Sequence, residues 1–304
     1  MLNGGSIVRT RVDVTALKAT RHNRDEETDE YGYGMPDRLG DERRYAMSDR
    51  KPLPGKFVWF EHLSKDAKKA QAFYGHVLGW KVQGFPMGDQ TYEMIFAGET
   101  MIGGYATPKT DQPSHWISYI SVEDVDAAAK AAATNGGKVV EAPYEIPGVG
   151  RTARIADPTG AELCPFKSSS GDPADEYASQ GRFFWNELHT TDPARALAFY
   201  EKVVGFSHRS MNVGGGGTYH IVSRGGVDRG GATSHLPSGV PPHWLPYVFV
   251  DDPDATLAKA RKLGAIIQFG PEDIPDVGRL GGLTDPTGAV LAVMKPKPPQ
   301  NRGD

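Results

Sequence analysis

The chain says one thing twice. FVWFEHLSKDAKKAQAFYGHVLGW, beginning at Phe57, returns as FFWNELHTTDPARALAFYEKVVGF from Phe183. Gly103-Gly104 return as Gly230-Gly231, and PSHWISYISVEDVDAA from Pro113 returns as PPHWLPYVFVDDPDAT from Pro241. EIPGVGRTARIADPTGAEL from Glu145 then matches DIPDVGRLGGLTDPTGAVL from Asp273. Register slips by only a residue or two between blocks, as loop adjustments within a retained fold would produce. Such self-similarity means one structural unit used twice. The fold must therefore suit a unit of about 115 residues, and function must be sought in what the copies share and where they differ.

A chain of 304 residues can bury two moderate cores. The expected boundaries are a charged extension over 1–50, a first domain over 51–170, a polar linker over 171–181, a second domain over 182–296 and a Pro-rich tail over 297–304. The extension stands outside the duplication and contains RHNRDEETDEYGYGMPDRLGDERRYAMSDR, so dense in charge and poor in aliphatic residues that partial disorder is expected. Net charge is only -4 with both signs interspersed, which offers no broad positive field to nucleic acid or an anionic membrane. No apolar run reaches transmembrane length and no leader-like apolar core follows the N-terminus, so a soluble cytoplasmic protein is expected. The single cysteine, Cys164, forbids an intrachain disulfide and fits a reducing compartment.

Each repeat follows one course. FVWFEHL and FFWNELH suit an opening strand; DAKKAQAFYGHVLG and DPARALAFYEKVVG suit amphipathic helices capped by Asp66 and Asp192. TYEMIFAG with a GG turn after it suggests paired strands. WISYISV, a helix over Val125–Ala133 and strands around TARIA and AELCPF follow. Strand, helix, several strands, then the same again, makes an α+β domain of two related half-modules whose curled mixed sheet can surround a cleft.

The W-x-E opening, FY-x-x-V-x-G, HWxxY, IPxVGR and DPTGA blocks resemble the vicinal oxygen chelate superfamily, which includes glyoxalase I, bleomycin-resistance proteins and extradiol dioxygenases. The tandem-domain, hydroxylase-like branch is the nearest in character, and the resemblance covers residues 56–167 and 182–296. It implies two tandem domains of paired βαβββ modules, packed against each other within the chain, and a cleft in which family members often hold a divalent metal with two vicinal substrate oxygens. It also implies ligand positions. These fall on Trp59, Ile117 and Cys164 in the first copy and on Trp185, Leu245 and Ala292 in the second, none of them a usual hard-metal ligand set. No cofactor is therefore expected; a divalent metal on relocated Glu/His ligands is the alternative.

Other polar residues are better candidates. Strand alternation puts Glu61 on the face of Trp59 and Glu187 on the face of Trp185. His115 and His243 precede strands expected across the cleft, so Glu61/His115 and Glu187/His243 are candidate acid-base or hydrogen-bonding pairs, against a structural role in which the histidines fix a loop. His189 shares the face of Glu187 where the first copy has Leu63, which makes the second domain the better place for proton chemistry. His220 is a further candidate there. Tyr92 and its counterpart Tyr219 are substrate-facing phenols or simply strand aromatics. Arg151 and Arg279 either contact an anionic ligand or pin loops through ion pairs. Cys164 occupies a cleft position but has no local base, the setting of an inert thiol.

DPTGA is a turn signature, and GGGG and GGVDRGG lack the lysine and the strand-to-helix context of a phosphate loop. The functional expectation is a glyoxalase/bleomycin-resistance-like protein that binds, or converts without the usual metal, a small aromatic or oxygenated metabolite. Trp185 would position its apolar face. The alternatives are a metal-dependent dioxygenase or lyase, a non-catalytic drug-binding protein, and an interaction protein acting through its N-terminal arm. Homodimerisation is compatible with all of them.

Overall fold

The computed structural model describes residues 50–87, 90–109, 111–177, 179–212 and 217–297. The N-terminal extension up to residue 49 and the tail from residue 298 lie outside them. The first domain runs β1 (Phe57–Leu63), α1 (Ala67–Leu78), β2 (Lys81–Met87), β3 (Gln90–Ala97) and β4 (Thr100–Ala106), then β5 (His115–Ser121), α2 (Val125–Thr134), β6 (Lys138–Ile146), β7 (Gly150–Ala156) and β8 (Glu162–Ser168). The second repeats it as β9 (Phe183–His189), α3 (Pro193–Val203), β10 (Ser207–Asn212), β11 (Thr218–Arg224) and β12 (Val227–Thr233), then β13 (His243–Phe249), α4 (Pro253–Lys262), β14 (Ile266–Ile274), β15 (Gly278–Thr284) and β16 (Val290–Pro296). Each domain is one eight-stranded mixed sheet. The orders are β2-β3-β4-β1-β5-β8-β7-β6 and β10-β11-β12-β9-β13-β16-β15-β14, so the two βαβββ halves meet at β1/β5 and β9/β13.

Local chemistry sets the helix boundaries. Asp66, Asp124, Asp192 and Asp252 each accept a hydrogen bond from the backbone N–H three residues on, satisfying one of the free donors at a helix start. Pro193 and Pro253 supply the fixed φ favoured in a first turn. Gly79 ends α1 in the left-handed region, φ 73°, where a side chain would be strained.

The expected GG turn is not a turn. Gly103-Gly104 lie inside β4 and Gly230-Gly231 inside β12. The β3/β4 connection is made instead at Gly98-Glu99. A Cβ on Gly103 would overlap the Phe60 carbonyl, and one on Gly104 would overlap the Tyr92 hydroxyl; Gly231 stands in the same relation to Tyr219. Glycine is needed for close approach, not for bending.

The cores do not follow the domain boundary. Phe60, Phe73, Tyr74, Trp80 and Trp116 of the first domain form one cluster with Val248, Val250, Leu257 and Leu291 of the second. Ile120, Val125, Ile155 and Leu163 form the other with Leu188, Leu197, Phe199 and Trp244. Phe60 stacks on Phe183 with ring centroids 4.0 Å apart, and Asn186 Nδ2 donates to Ser118 Oγ at 2.9 Å. His62 Nε2 lies 2.9 Å from Asp285 Oδ2, both side chains wholly buried. The repeats thus pack together within the chain, each completing the other's core.

The 171–181 segment is also more than a polar spacer. Asp172 is buried, accepting at 2.5 Å from both the Leu53 N–H and the Ser121 hydroxyl. Gly181 offers its carbonyl to Trp80 Nε1–H at 2.7 Å.

Candidate functional site

Alternation along β1 divides its side chains between two faces. Phe60 joins the core with Tyr74 of α1, and the His62 ring meets Tyr74 edge-on at 5.8 Å, so the helix covers that face. Trp59, Glu61 and Leu63 take the opposite face; in β9 this face carries Trp185, Glu187 and His189. Registers with neighbouring strands set Glu61 beside Gly104 and Ile117, and Glu187 beside Gly231 and Leu245.

One hydrogen-bonded constellation is built twice. Trp59 Nε1–H donates to the Tyr92 hydroxyl at 3.0 Å, and that hydroxyl donates to Glu61 Oε1 at 2.8 Å; Tyr119 donates to Oε2 at 3.1 Å. In the second domain Trp185 donates to Tyr219 at 3.0 Å, Tyr219 to Glu187 Oε2 at 2.7 Å, and Tyr247 to Oε1 at 3.2 Å. Sequence reasoning missed Tyr119 and Tyr247. Their signal was present in the repeated HWxxY, whose tyrosine shares a face with His115 and His243 by strand alternation.

The copies differ where His189 replaces Leu63. His189 Nδ1–H donates to the His235 carbonyl at 2.7 Å, which turns Nε2 toward Glu187 Oε1 at 2.8 Å. Nε2 is off the ideal hydrogen-bond line to that oxygen, yet at 2.8 Å the two groups still favour each other's charged forms. The consequence appears in the carboxyls. Burial pushes Glu61 up, and its two tyrosine donors do not overcome this. Burial pushes Glu187 up as well, but His189 and then the tyrosines outweigh it and hold the group below its ordinary range. Burial alone would lower the His189 pKa; Glu187 and the His235 carbonyl reverse that and raise it. The opposite shifts favour the carboxylate–imidazolium form of this pair, whose side chains are 13% and 10% exposed.

The Glu/His pairs expected from sequence are not made directly. His115 donates through Nδ1–H to the Pro113 carbonyl at 2.8 Å, and its Nε2 lies 3.2 Å from an Arg154 guanidinium nitrogen. His243 donates likewise to Pro241 at 2.9 Å and stacks on His189 with ring centroids 5.3 Å apart. Burial lowers the pKa of both imidazoles. Arg154, also missed by sequence reasoning, is held between Glu162 at 2.8 Å and Glu141 at 4.0 Å. The second copy has Gly282, Val290 and Phe269 at these three positions, and the Phe269 ring occupies the space beside Gly282. At these three positions the first domain is charged and the second apolar.

Other candidates stand elsewhere. Arg151 pairs with Asp126 and Glu145, and Arg279 with Asp254 and Asp273, pinning the starts of α2 and α4 to β7 and β15 rather than lining the tyrosine–glutamate face. His220 sits on the β10/β11 hairpin, 2.9 Å from Ser210 Oγ, and meets His208 edge-on. Cys164 is buried, and burial pushes its thiol well above the ordinary range, so it is no ready nucleophile.

The implied metal positions can be tested directly. Ile117 and Cys164 pack together with Leu63, while Trp185 packs against Leu245 and Ala292. The positions do converge, but on apolar side chains that offer no hard ligand set. The residues present do not fit a divalent ion there. Among the described residues no group of three or more His, Cys, Asp or Glu is disposed to hold one.

Residues 56–164 and 182–293 match the family model described as Glyoxalase/Bleomycin resistance protein/Dioxygenase superfamily. A Mycobacterium tuberculosis protein named "Putative glyoxylase CFP32" is 37% identical over 248 residues, covering 80% of this chain and 95% of that one. The anthracycline biosynthesis protein DnrV of Streptomyces peucetius is 29% identical over 263 residues, covering 80% and 94%. Among solved structures, the Mn(II)-bound glyoxalase from Novosphingobium aromaticivorans aligns with a TM-score of 0.54 at 18% identity, over 80% of this chain and 82% of that one. The 2,3-dioxygenase LapB from Pseudomonas sp. KL28 aligns with a TM-score of 0.54 at 15% identity, over 84% and 96%. These structural likenesses establish the fold.

Proposed function

The chain belongs to the glyoxalase/bleomycin resistance protein/dioxygenase superfamily, and from that membership we propose that its second domain binds or converts a small oxygenated aromatic metabolite without a metal at the usual family position. The observation that carries the reading is the buried Glu187–His189 pair, absent from the first copy and set beside Trp185, Tyr219 and Tyr247. A buried ion pair is weak evidence for stability, because desolvation offsets much of its attraction. Placed on a helix-free, aromatic-rich face, it is better suited to orienting a polar ligand. The relatives DnrV and DauV are named for the biosynthesis of anthracyclines, which are oxygenated aromatic compounds, and this supports the proposed ligand class.

The chemistry within reach is proton transfer. His189 Nε2 can donate to a ligand oxygen and Glu187 can accept, while burial holds the Tyr219 and Tyr247 hydroxyls protonated, so that the single O–H of each stays on Glu187 and fixes the carboxylate in place. Apolar contact would come from Trp185 and Phe269. The test is calorimetric titration of the full chain with a panel of mono- and dihydroxylated aromatics. Saturable binding, weakened at least tenfold by Glu187→Gln and by His189→Leu but little by Glu61→Gln, is expected. Equal binding by all four proteins would overturn the assignment.

The competing reading is a relocated metal site, for which Glu187 and His189, 2.8 Å apart, are the nearest donor pair, although no third ligand is disposed to join them among the described residues. Elemental mass spectrometry after dialysis decides between them. A stoichiometric transition metal in the wild type that Glu187→Gln loses would replace the metal-free reading.

A further inference from the structure

We propose that a cavity between the two domains, beneath the 173–177 segment, is a second ligand site and takes an aromatic carboxylate. The cavity measures about 290 Å³ and is walled by the rings of Phe57, Phe183 and Phe184 together with the cations of Lys56, Arg182 and Arg229. It is separate from the Glu187 pair, although Trp185 borders both. Its size lies at the small end of the range for ligand cavities, about 300 Å³ and upward, and suits one or two fused rings.

The cations are held by the chain's own carboxylates. A single oxygen of Asp175 lies 3.1 Å from Lys56 Nζ and 2.6 Å from an Arg229 guanidinium nitrogen; Arg182 pairs with Glu176 at 2.5 Å. Both acids come from the segment that joins the domains. Lys56 Nζ also donates to the Pro173 and Ala174 carbonyls, at 2.6 and 2.7 Å, so the segment is strapped down by a cavity residue. Asp175 is 45% exposed, and its contacts are the kind that water and a competing anion readily exchange.

Arg229 is different: its side chain is only 9% exposed, and its buried Nε has no hydrogen-bond partner among the described residues. A buried guanidinium donor left unsatisfied is costly, and a planar carboxylate is the group that answers it, since guanidinium forks bind carboxylates through paired N–H donors. Asp175 thus stands where a ligand's carboxylate would sit, with the ring of that ligand against the three phenylalanines. Lifting Asp175 and Glu176 away leaves Lys56, Arg182 and Arg229 facing Asp228, which is itself paired outward with Arg209.

The experiment is calorimetric titration of the full chain with 2-naphthoate and with 2-naphthamide, its neutral counterpart. Naphthoate is expected to bind and naphthamide at least tenfold more weakly. Asp175→Asn, which removes the internal competitor, should tighten naphthoate binding at least threefold, and Arg229→Met should weaken it at least tenfold. Glu187→Gln should leave it unchanged, which separates this site from the one proposed above. Equal affinity for acid and amide, no tightening in Asp175→Asn, or loss in Glu187→Gln would each overturn the proposal. Should Arg229→Met fail to fold, the acid/amide ratio and Asp175→Asn still decide.

Discussion

His189→Leu restores in the second domain the residue that the first domain carries at the same position, Leu63, and its effect can be worked out from the Glu187 geometry. At 2.8 Å the Glu187–His189 attraction is on the order of 6 kcal/mol gross for an effective dielectric near 20. The variant does not forfeit all of it, because an unpaired buried carboxylate can take up a proton. Relative to an ordinary value of 4.5, that protonation costs up to about 1.4 kcal/mol per pH unit. The two groups shift in opposite directions. The lowered Glu187 pKa contributes stability above 4.5 that is lost as pH falls through the folded value. The raised His189 pKa contributes stability below 6.5 that is lost as pH rises through the folded value. The penalty of His189→Leu should therefore climb from under about 1 kcal/mol near pH 5 to about 2–3 kcal/mol near pH 6.5, then level off because the wild type must itself acquire a proton at His189. Urea unfolding of both proteins at half-unit pH steps measures this difference. A penalty that is flat between pH 5 and pH 6.5 would refute the charge pairing and reduce His189 to a packing residue.

Asp285→Ala should destabilise by about 3–5 kcal/mol, since it strips a buried carboxylate from His62 and from the Thr287, Gly288 and Ala289 N–H groups. Asp157→Ala should cost clearly less, about 1–3 kcal/mol, because Leu188 occupies the position equivalent to His62 and Asp157 holds its own turn and faces Tyr200 without an imidazole partner; equal losses in urea unfolding would remove the imidazole from the explanation. The pKa of Asp285, which burial would raise, is lowered by His62 and Thr287, so its contribution should disappear as pH falls through that depressed value and the gap to Asp285→Ala should narrow in acid. Gly231→Ala should push Tyr219 off Glu187, costing about 1–3 kcal/mol in unfolding experiments and weakening hydroxylated-aromatic binding at least threefold. Gly104→Ala should leave that binding intact; the opposite ranking would move the site to the first domain.

What the sequence made legible was local or repeated. Helix starts at Asp66 and Asp192 follow from side chains that satisfy donors within one turn, and Trp59/Glu61 or Trp185/Glu187/His189 share a face because strand alternation has a fixed period of two. The duplication itself supplied the domain plan. Partners set by distant register were not legible. Asp172 is spoken for by Leu53, which lies 119 positions away, and Gly104 is explained only by a tyrosine on the adjoining strand. The pairing of Glu61 with His115 failed for the same reason: their strands are neighbours, but Tyr119, not His115, reaches the carboxylate, and Arg154 claims the imidazole. The repeated arginines of VGR were read with two alternatives open, and the acidic residues at the starts of α2 and α4 occupy both of them.

The cross-domain cores carry a consequence for inheritance. A duplicated gene usually leaves one copy free to decay once the other does the work. Here neither half can be discarded, because Val248 and Leu257 complete the packing around Tyr74, while Leu163 and Val125 complete that around Tyr200. The first domain thus serves as scaffold for the second whatever its own chemistry, and a change in its cleft lining need not disturb that packing. The Glu141–Arg154–Glu162 cluster and the missing counterpart of His189 are the divergence such an arrangement permits.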